Sequence, residues 1–248
     1  MCGMMEHIRN SLMPSGVAPL MIITPLIYTV LLISAAITAL IGTYAFIHRR
    51  ERGARFLAWV MLMATLNACG NLFERISTSV ERKLFWFNFH ETAHIFAIPF
   101  FLFFILAYVN PEQMPRSTVT LPILLYFALW SLLLWTDSEH HLLRYDIAVQ
   151  DGVLMFSSTG LSLSLNLLGF MAVFAALGYL GVYARKAGPL ARKQALWVWL
   201  SAALPVAWVV VGLVNALPAL MWSLYSSVTN TMMGFCMFMA IFKYRLLS

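Results

Sequence analysis

Leu84-Phe-Trp-Phe-Asn-Phe-His-Glu-Thr-Ala-His-Ile-Phe-Ala-Ile-Pro-Phe-Phe-Leu-Phe-Phe-Ile-Leu-Ala-Tyr-Val109 is the stretch whose reading decides the fold. As an α-helix it is about 39 Å long, enough to cross a bilayer with some tilt. Its only ionisable side chains are His90, Glu91 and His94, all in the half nearer its start. At about 100° per residue the three fall within a roughly 100° arc, so they face one neighbour. Ionisable groups in hydrocarbon cost several kcal/mol unless they meet protein or water, which makes such a cluster a functional candidate.

Working outward, 61% of the 248 residues are hydrophobic and 10% are charged. Soluble domains carry roughly 25% charge, so the composition is that of a membrane protein. Seven apolar stretches follow one another: Ile22–Ile47, Phe56–Ile76, Leu84–Val109, Val119–Trp135, Thr159–Tyr183, Ala195–Val214 and Leu220–Phe242. Without water in the bilayer core each must pair its backbone groups internally, so the expected fold is an all-α bundle of seven transmembrane helices forming one domain. The first stretch is too long for a signal-peptide core and ends in His48-Arg-Arg-Glu-Arg52, so it reads as a true span. Of the 16 Lys and Arg, eleven fall on the inner side if the N-terminus is outside. Positive charge gathers on the cytoplasmic side, so the expected topology is N-outside and C-inside, in the plasma membrane.

The net charge of +6 does not indicate nucleic acid, because the basic residues sit at the ends of apolar runs rather than on one face. Arg185, Lys186, Arg192 and Lys193 are expected to meet anionic lipid head groups instead. Cys2, Cys69 and Cys236 form no CxxC knuckle and no disulfide framework. The longest connection, Thr136 to Ser158, carries Leu142, Leu143, Val153 and Leu154, which are placed to fold down on the bundle mouth as a cover.

The second stretch has its own polar stripe. Asn67, Asn71 and Glu74 share one face at helical spacing. Running antiparallel to the third stretch, it should bring Asn71 level with His90 and Glu91, and Asn67 level with His94, with Glu74 near the outer surface. Ser162, Ser164 and Asn166 on the fifth stretch, and Ser223, Ser227 and Asn230 on the seventh, lie at similar depth. Together they predict a polar pocket opening outward, its ligand wall built from Asn67, Asn71, Glu74, His90, Glu91, His94, Asn166 and Asn230. Serines and asparagines also act as packing glue between membrane helices, at about 0.6 kcal/mol per hydrogen bond, so a purely structural membrane protein is one alternative.

His90-Glu91-Thr92-Ala93-His94 also spells the zinc-protease signature, with two histidines on metal and a glutamate as general base. That chemistry needs a third ligand, for which Glu74 is the candidate beside His90 and His94. The readings in competition are therefore an intramembrane metalloprotease, a metal sensed without hydrolysis, and a pocket for a small polar ligand or proton. The last is the expectation, with no catalytic residue and no cofactor. Retinal chemistry is excluded, because the last stretch carries no mid-helix lysine for a Schiff base.

Several features occur in a telling order. Arg55-Phe-Leu-Ala-Trp59 opens the second helix and Lys83-Leu-Phe-Trp86 the third, which carries Pro99 and the run Phe100-Phe-Leu-Phe-Phe104. Arg192-Lys-Gln194 opens the sixth, with Pro205 in its middle, and Phe242-Lys-Tyr-Arg-Leu-Leu247 closes the seventh. In this order and spacing, over about Ile22 to Ser248, the chain resembles the seven-transmembrane sensor region at the N-terminus of bacterial histidine kinases and diguanylate cyclases. The resemblance implies a membrane sensor passing a signal through its seventh helix to a cytoplasmic output domain or partner protein, as a homodimer. No kinase or cyclase motif occurs in the sequence, and the chain stops six residues past its last apolar stretch, so it is expected to be either a fragment or a stand-alone receptor.

Overall fold

The structure is a computed structural model. It describes residues 17–51, 53–110, 117–150, 153–213 and 219–243. Among the described residues seven long helices run in chain order: α1 (Val17–Ile47), α2 (Ala54–Ile76), α3 (Val80–Val109), α4 (Ser117–Trp135), α5 (Gly160–Lys186), α6 (Pro189–Leu213) and α7 (Ala219–Phe238). One π-helical turn, Met239–Lys243, continues α7. Each apolar stretch thus becomes one helix. Five of them, from Pro25–Ile47 through Gly160–Lys186, are long and apolar enough to cross a membrane, and the protein is a multi-pass membrane protein.

The helix ends follow local chemistry that apolarity alone does not register. Ser79 caps α3, its hydroxyl accepting from the Arg82 amide at 3.3 Å, so α3 starts a turn before Leu84. Thr159 caps α5 in the same way, accepting from Ser162. α6 opens at Pro189, whose fixed φ and missing N–H suit a first helical position, well before Ala195. Gly53 precedes α2 with φ 77°, and a Cβ there would lie 3.0 Å from the Phe104 ring. The tight α1–α2 turn therefore needs glycine twice over, for its backbone and for its neighbour.

α2 and α3 form the central antiparallel pair. α1 and α7 flank α2, α5 and α4 flank α3, and α6 closes between α5 and α7. The half away from the α2–α3 turn is apolar: Leu57, Met61, Phe104, Leu180, Val198 and Met237 are fully buried there. Tyr108 and Asn110 at the end of α3 tie that half to α6 and α5, through Gln194 (3.1 Å) and Tyr179 (2.7 Å).

The α4–α5 connection departs from the irregular cover expected of it. A single helical turn, Asp137–His140, leads into strands β1 (Arg144–Gln150) and β2 (Val153–Ser158), which pair antiparallel with a bulge between Tyr145 and Ala148. Leu143 and Leu154 are buried, whereas Leu142 is exposed; the Val153 side chain lies outside the described residues. The hairpin does fold onto α3 and α4, with Leu143 in a cluster of Ile95, Phe127, Trp130 and Leu134.

Candidate functional site

The site begins at Gly70. A Cβ at that position would lie 2.7 Å from His90 Cβ and 3.2 Å from His90 Cα, so α2 and α3 approach most closely where neither has room for a larger residue. The polar stripe brackets this contact. Three residues before it, Asn67 donates through Nδ2 to the His90 carbonyl at 3.1 Å. Four residues after it, Glu74 Oε2 lies 3.0 Å from His90 Nε2. Asn71 donates to the Asn67 carbonyl at 2.9 Å and approaches Asn67 Oδ1 at 3.3 Å. Asn67, Asn71, Glu74 and His90 are all buried.

Two further contacts extend the cluster. Asn230 on α7 donates to Asn67 Oδ1 at 3.5 Å, which links the seam to the last helix. Lys83, 2% exposed, reaches back from the first turn of α3 to the Glu74 carbonyl at 2.9 Å. On the far side of His90, the Glu91 carboxylate stands 3.8 Å from Nδ1. That Nδ1 is buried without a hydrogen bond among the described residues. The imidazole is thus held on one nitrogen by Glu74 and faces a second, half-exposed carboxylate across a gap on the other.

Glu74, expected near the outer surface, is buried and its carboxylate reaches His90. Side chains on a helix lean toward its N-terminus. On α2 that lean is away from the α2–α3 turn, and on α3 it is toward the turn, so Glu74 and His90 converge although their Cα positions are offset. His94 lies one helical turn, about 6 Å, further along α3 and is out of Glu74's reach. It is half-buried and makes no hydrogen bond among the described residues. Within those residues no group of three His, Cys, Asp or Glu side chains is placed to hold a metal ion, so Glu74, His90 and His94 do not assemble as a ligand set.

Asn166 is the other residue the structure sets apart. It is exposed and its amide donates to Ser162 O of its own helix at 2.9 Å, while Ser164 does likewise to Gly160 O. Asn166 and Ser164 are thus bonded within α5. On α7, Ser227 is buried, whereas the side chain of Ser223 lies outside the described residues.

Sequence reading missed a second polar group on the α4 side. Thr92 Oγ1 donates to the Asn88 carbonyl (2.7 Å), lies 3.1 Å from Ser131 Oγ and accepts from Trp135 Nε1 at 2.9 Å. It also missed the anchor of the hairpin. Asp137 and Arg144, 1% and 3% exposed, are paired at 3.0 Å, with Asp137 accepting the Leu143 amide and Arg144 donating to Leu134 O. The Arg144 guanidinium stands over Phe87 and Phe156, at 5.3 and 5.7 Å, and Phe87 meets the His90 ring edge-on at 4.9 Å. Phe87 therefore touches both the cover and the seam. Asp137 and Arg144 stand seven residues apart across a connection that is not one helix, so helical spacing gave no reason to pair them.

Two hollows lie at the α1–α2 connection, one lined by Phe46, Arg49, Arg55 and Trp59 and one beside it by Ile47 to Glu51. One family model, described as the N-terminal 7TM region of histidine kinase, matches residues 30–248. No curated protein matches the chain.

Proposed function

Since the chain belongs to the family of N-terminal 7TM regions of histidine kinases, we propose that it is the input region of a membrane sensor. In this reading all seven helices span the plasma membrane, with the N-terminus outside and the α7 end in the cytoplasm. A small polar ligand acts at Glu74, His90, Glu91 and His94 in the outer half. Asn67 and Asn230 pass the change to α7, and α7 passes it to a cytoplasmic kinase or cyclase output domain or partner protein. No step of catalysis is assigned to the chain.

The observation that carries the reading is the buried His90 ring, bonded to Glu74 through Nε2 and orphaned at Nδ1, with Asn67 joining its backbone to α7. A buried imidazole with an unused nitrogen beside a half-exposed carboxylate is a half-made site. The Nδ1 of an imidazole that donates through Nε2 accepts, as does the Glu91 carboxylate, so a ligand carrying two donors would complete the site. Discrete rearrangement of packed helices is a recognised way to pass such a change along a bundle.

The test is a chimera in which the whole chain is followed by a reporter histidine-kinase core, assayed for autophosphorylation in membranes. His90→Gln, Glu91→Gln and His94→Ala are expected to fix the reporter in one state while membrane insertion and yield stay at the parent level. Asn230→Leu should leave the site intact yet uncouple it. Parent-level regulation in all four variants would end the proposal. The mass of the native protein by immunoblot tells the two forms of output apart: a band well above 28.0 kDa carries its own output domain, and a band at that mass acts through a partner.

A further inference from the structure

At the end of the bundle remote from His90, the turn between α1 and α2 is strongly basic. The sequence of this connection carries Arg49, Arg50, Arg52 and Arg55 against a single carboxylate, Glu51. Arg49 and Arg55 are exposed and line one hollow with Phe46 and Trp59, and neither makes an ion pair among the described residues. The start of α2 adds to the excess. Gly53 supplies no side-chain cap, the first turn holds no acidic residue, and Arg55 stands where the helix dipole already presents positive charge. Uncompensated positive charge at a helix N-terminus is an arrangement that an anion relieves.

The apolar half of the hollow is equally specific. Phe46 stands in the last turn of α1, three residues before Arg49 in the connection, and Trp59 lies one helical turn after Arg55 on α2, so each guanidinium has an aromatic ring beside it in the chain. Arg49 sits over the Phe46 ring at 5.1 Å, and Trp59 lies flat on Phe100 of α3 at 5.5 Å. Both aromatics remain open on their other side, Phe46 56% and Trp59 41% exposed.

We propose that this corner binds a phosphate-bearing anion, and that its source is the headgroup of an anionic phospholipid whose acyl chains lie against Phe46 and Trp59. Paired guanidiniums fit phosphate oxygens in a way a diffuse positive surface does not. The inference rests on α1 and α2 crossing a membrane and is independent of the ligand proposed at His90.

Native mass spectrometry of the full chain in detergent tests it, with dioleoylphosphatidylglycerol, dioleoylphosphatidylcholine and inorganic phosphate as probes. Phosphatidylglycerol is expected to form a retained one-to-one adduct, and phosphatidylcholine none. Arg49→Gln/Arg55→Gln should weaken the adduct about thirtyfold, the effect of two juxtamembrane charges, and Arg55→Gln alone by about a fifth of that. Arg185→Gln/Lys186→Gln, at the end of α5, should leave it unchanged. Equal retention of the two lipids, or an equal loss in the α5 variant, overturns the site. Inorganic phosphate held as tightly as phosphatidylglycerol overturns the lipid as its source.

Discussion

Arg144→Ala unseats the hairpin: amide protection across Arg144–Gln150 and Val153–Ser158 collapses in hydrogen exchange, while the helices keep theirs. The reason is the asymmetry between a buried pair and a buried single charge. Asp137 is 1% exposed and receives the Arg144 Nε–H and the Leu143 amide. Without the guanidinium its charge keeps the Leu143 amide and the His140 ring at 3.6 Å but loses its strongest partner in a site closed to water, at a cost of about 3–5 kcal/mol. The guanidinium also bonds the Leu134 carbonyl at the end of α4 and covers Phe87 and Phe156. Three elements, α4, the hairpin and α3, thus lose one shared contact.

The control is Asp137→Asn/Arg144→Met, which keeps an acceptor for Leu143 and an apolar stem over Phe87 but no net charge. It should recover most of the protection, because replacing both charges removes the desolvation penalty as well as the attraction. Protection in Arg144→Ala equal to that of the parent would mean the pair contributes nothing to the hairpin. Phe87 lies between Arg144 and the His90 ring, so the same substitution should also shift the His90 ring resonances. This makes the anchor a link between the cover and the seam rather than a local brace.

How far the sequence led is clearest at particular residues. Asn67, Asn71 and Glu74 were legible because a helix repeats every 3.6 residues and each apolar stretch fixed where its helix lay. That α2 faces α3 was legible from the short turn between them. Depth along the pair was not, because counting rise per residue places Cα atoms, and the lean of the side chains moved Glu74 onto His90. Asn166 was misplaced for a different reason. Apolar residues surround a membrane helix on lipid-facing and protein-facing sides alike, so α5 offered no period from which to tell which side Asn166 took. The hairpin did have a signal, the Asp151-Gly152 pair between alternating residues such as Tyr145, Ile147 and Val149, and it was overlooked against so apolar a background. The pairing within the seam is the most instructive difference. Polar residues gathered at one depth suggest groups turned toward a ligand, yet Asn67, Asn71, Glu74 and one side of His90 bond to one another, while His90 Nδ1, Asn88 Oδ1 and Ser227 Oγ stay unbonded among the described residues.

Gly70→Ala strikes the point on which that whole arrangement depends. The added Cβ would lie 2.7 Å from His90 Cβ, 2.9 Å from the Phe89 ring and 3.2 Å from His90 Cα. The first and last of these belong to the rigid part of α3, so no rotamer change relieves them, and the two helices must separate. Forcing a methyl group into a filled contact costs about 1–3 kcal/mol. The consequence for the site is larger than that figure conveys. Asn67 and Glu74, three residues before and four after, hold His90 at 3.1 and 3.0 Å, and separation lengthens both bonds at once. Hydrogen bonds weaken steeply beyond such distances, so the variant should lose the Glu74–His90 pair while remaining helical and inserted. Ring-nitrogen NMR of labelled histidine reads this directly: the His90 signals in Gly70→Ala should match those of Glu74→Gln rather than the parent. Gly181→Ala on α5 is the companion measurement, since a Cβ there meets nothing within 4 Å. It removes backbone freedom from the unfolded chain without a clash, so its melting temperature should equal or exceed the parent's. Were Gly70→Ala to melt with Gly181→Ala and keep the parent His90 signals, the close approach of α2 and α3 would not be what sets the geometry of the seam. If it separates from Gly181→Ala on both measurements, the polar seam owes its geometry to the single position on α2 that carries no side chain.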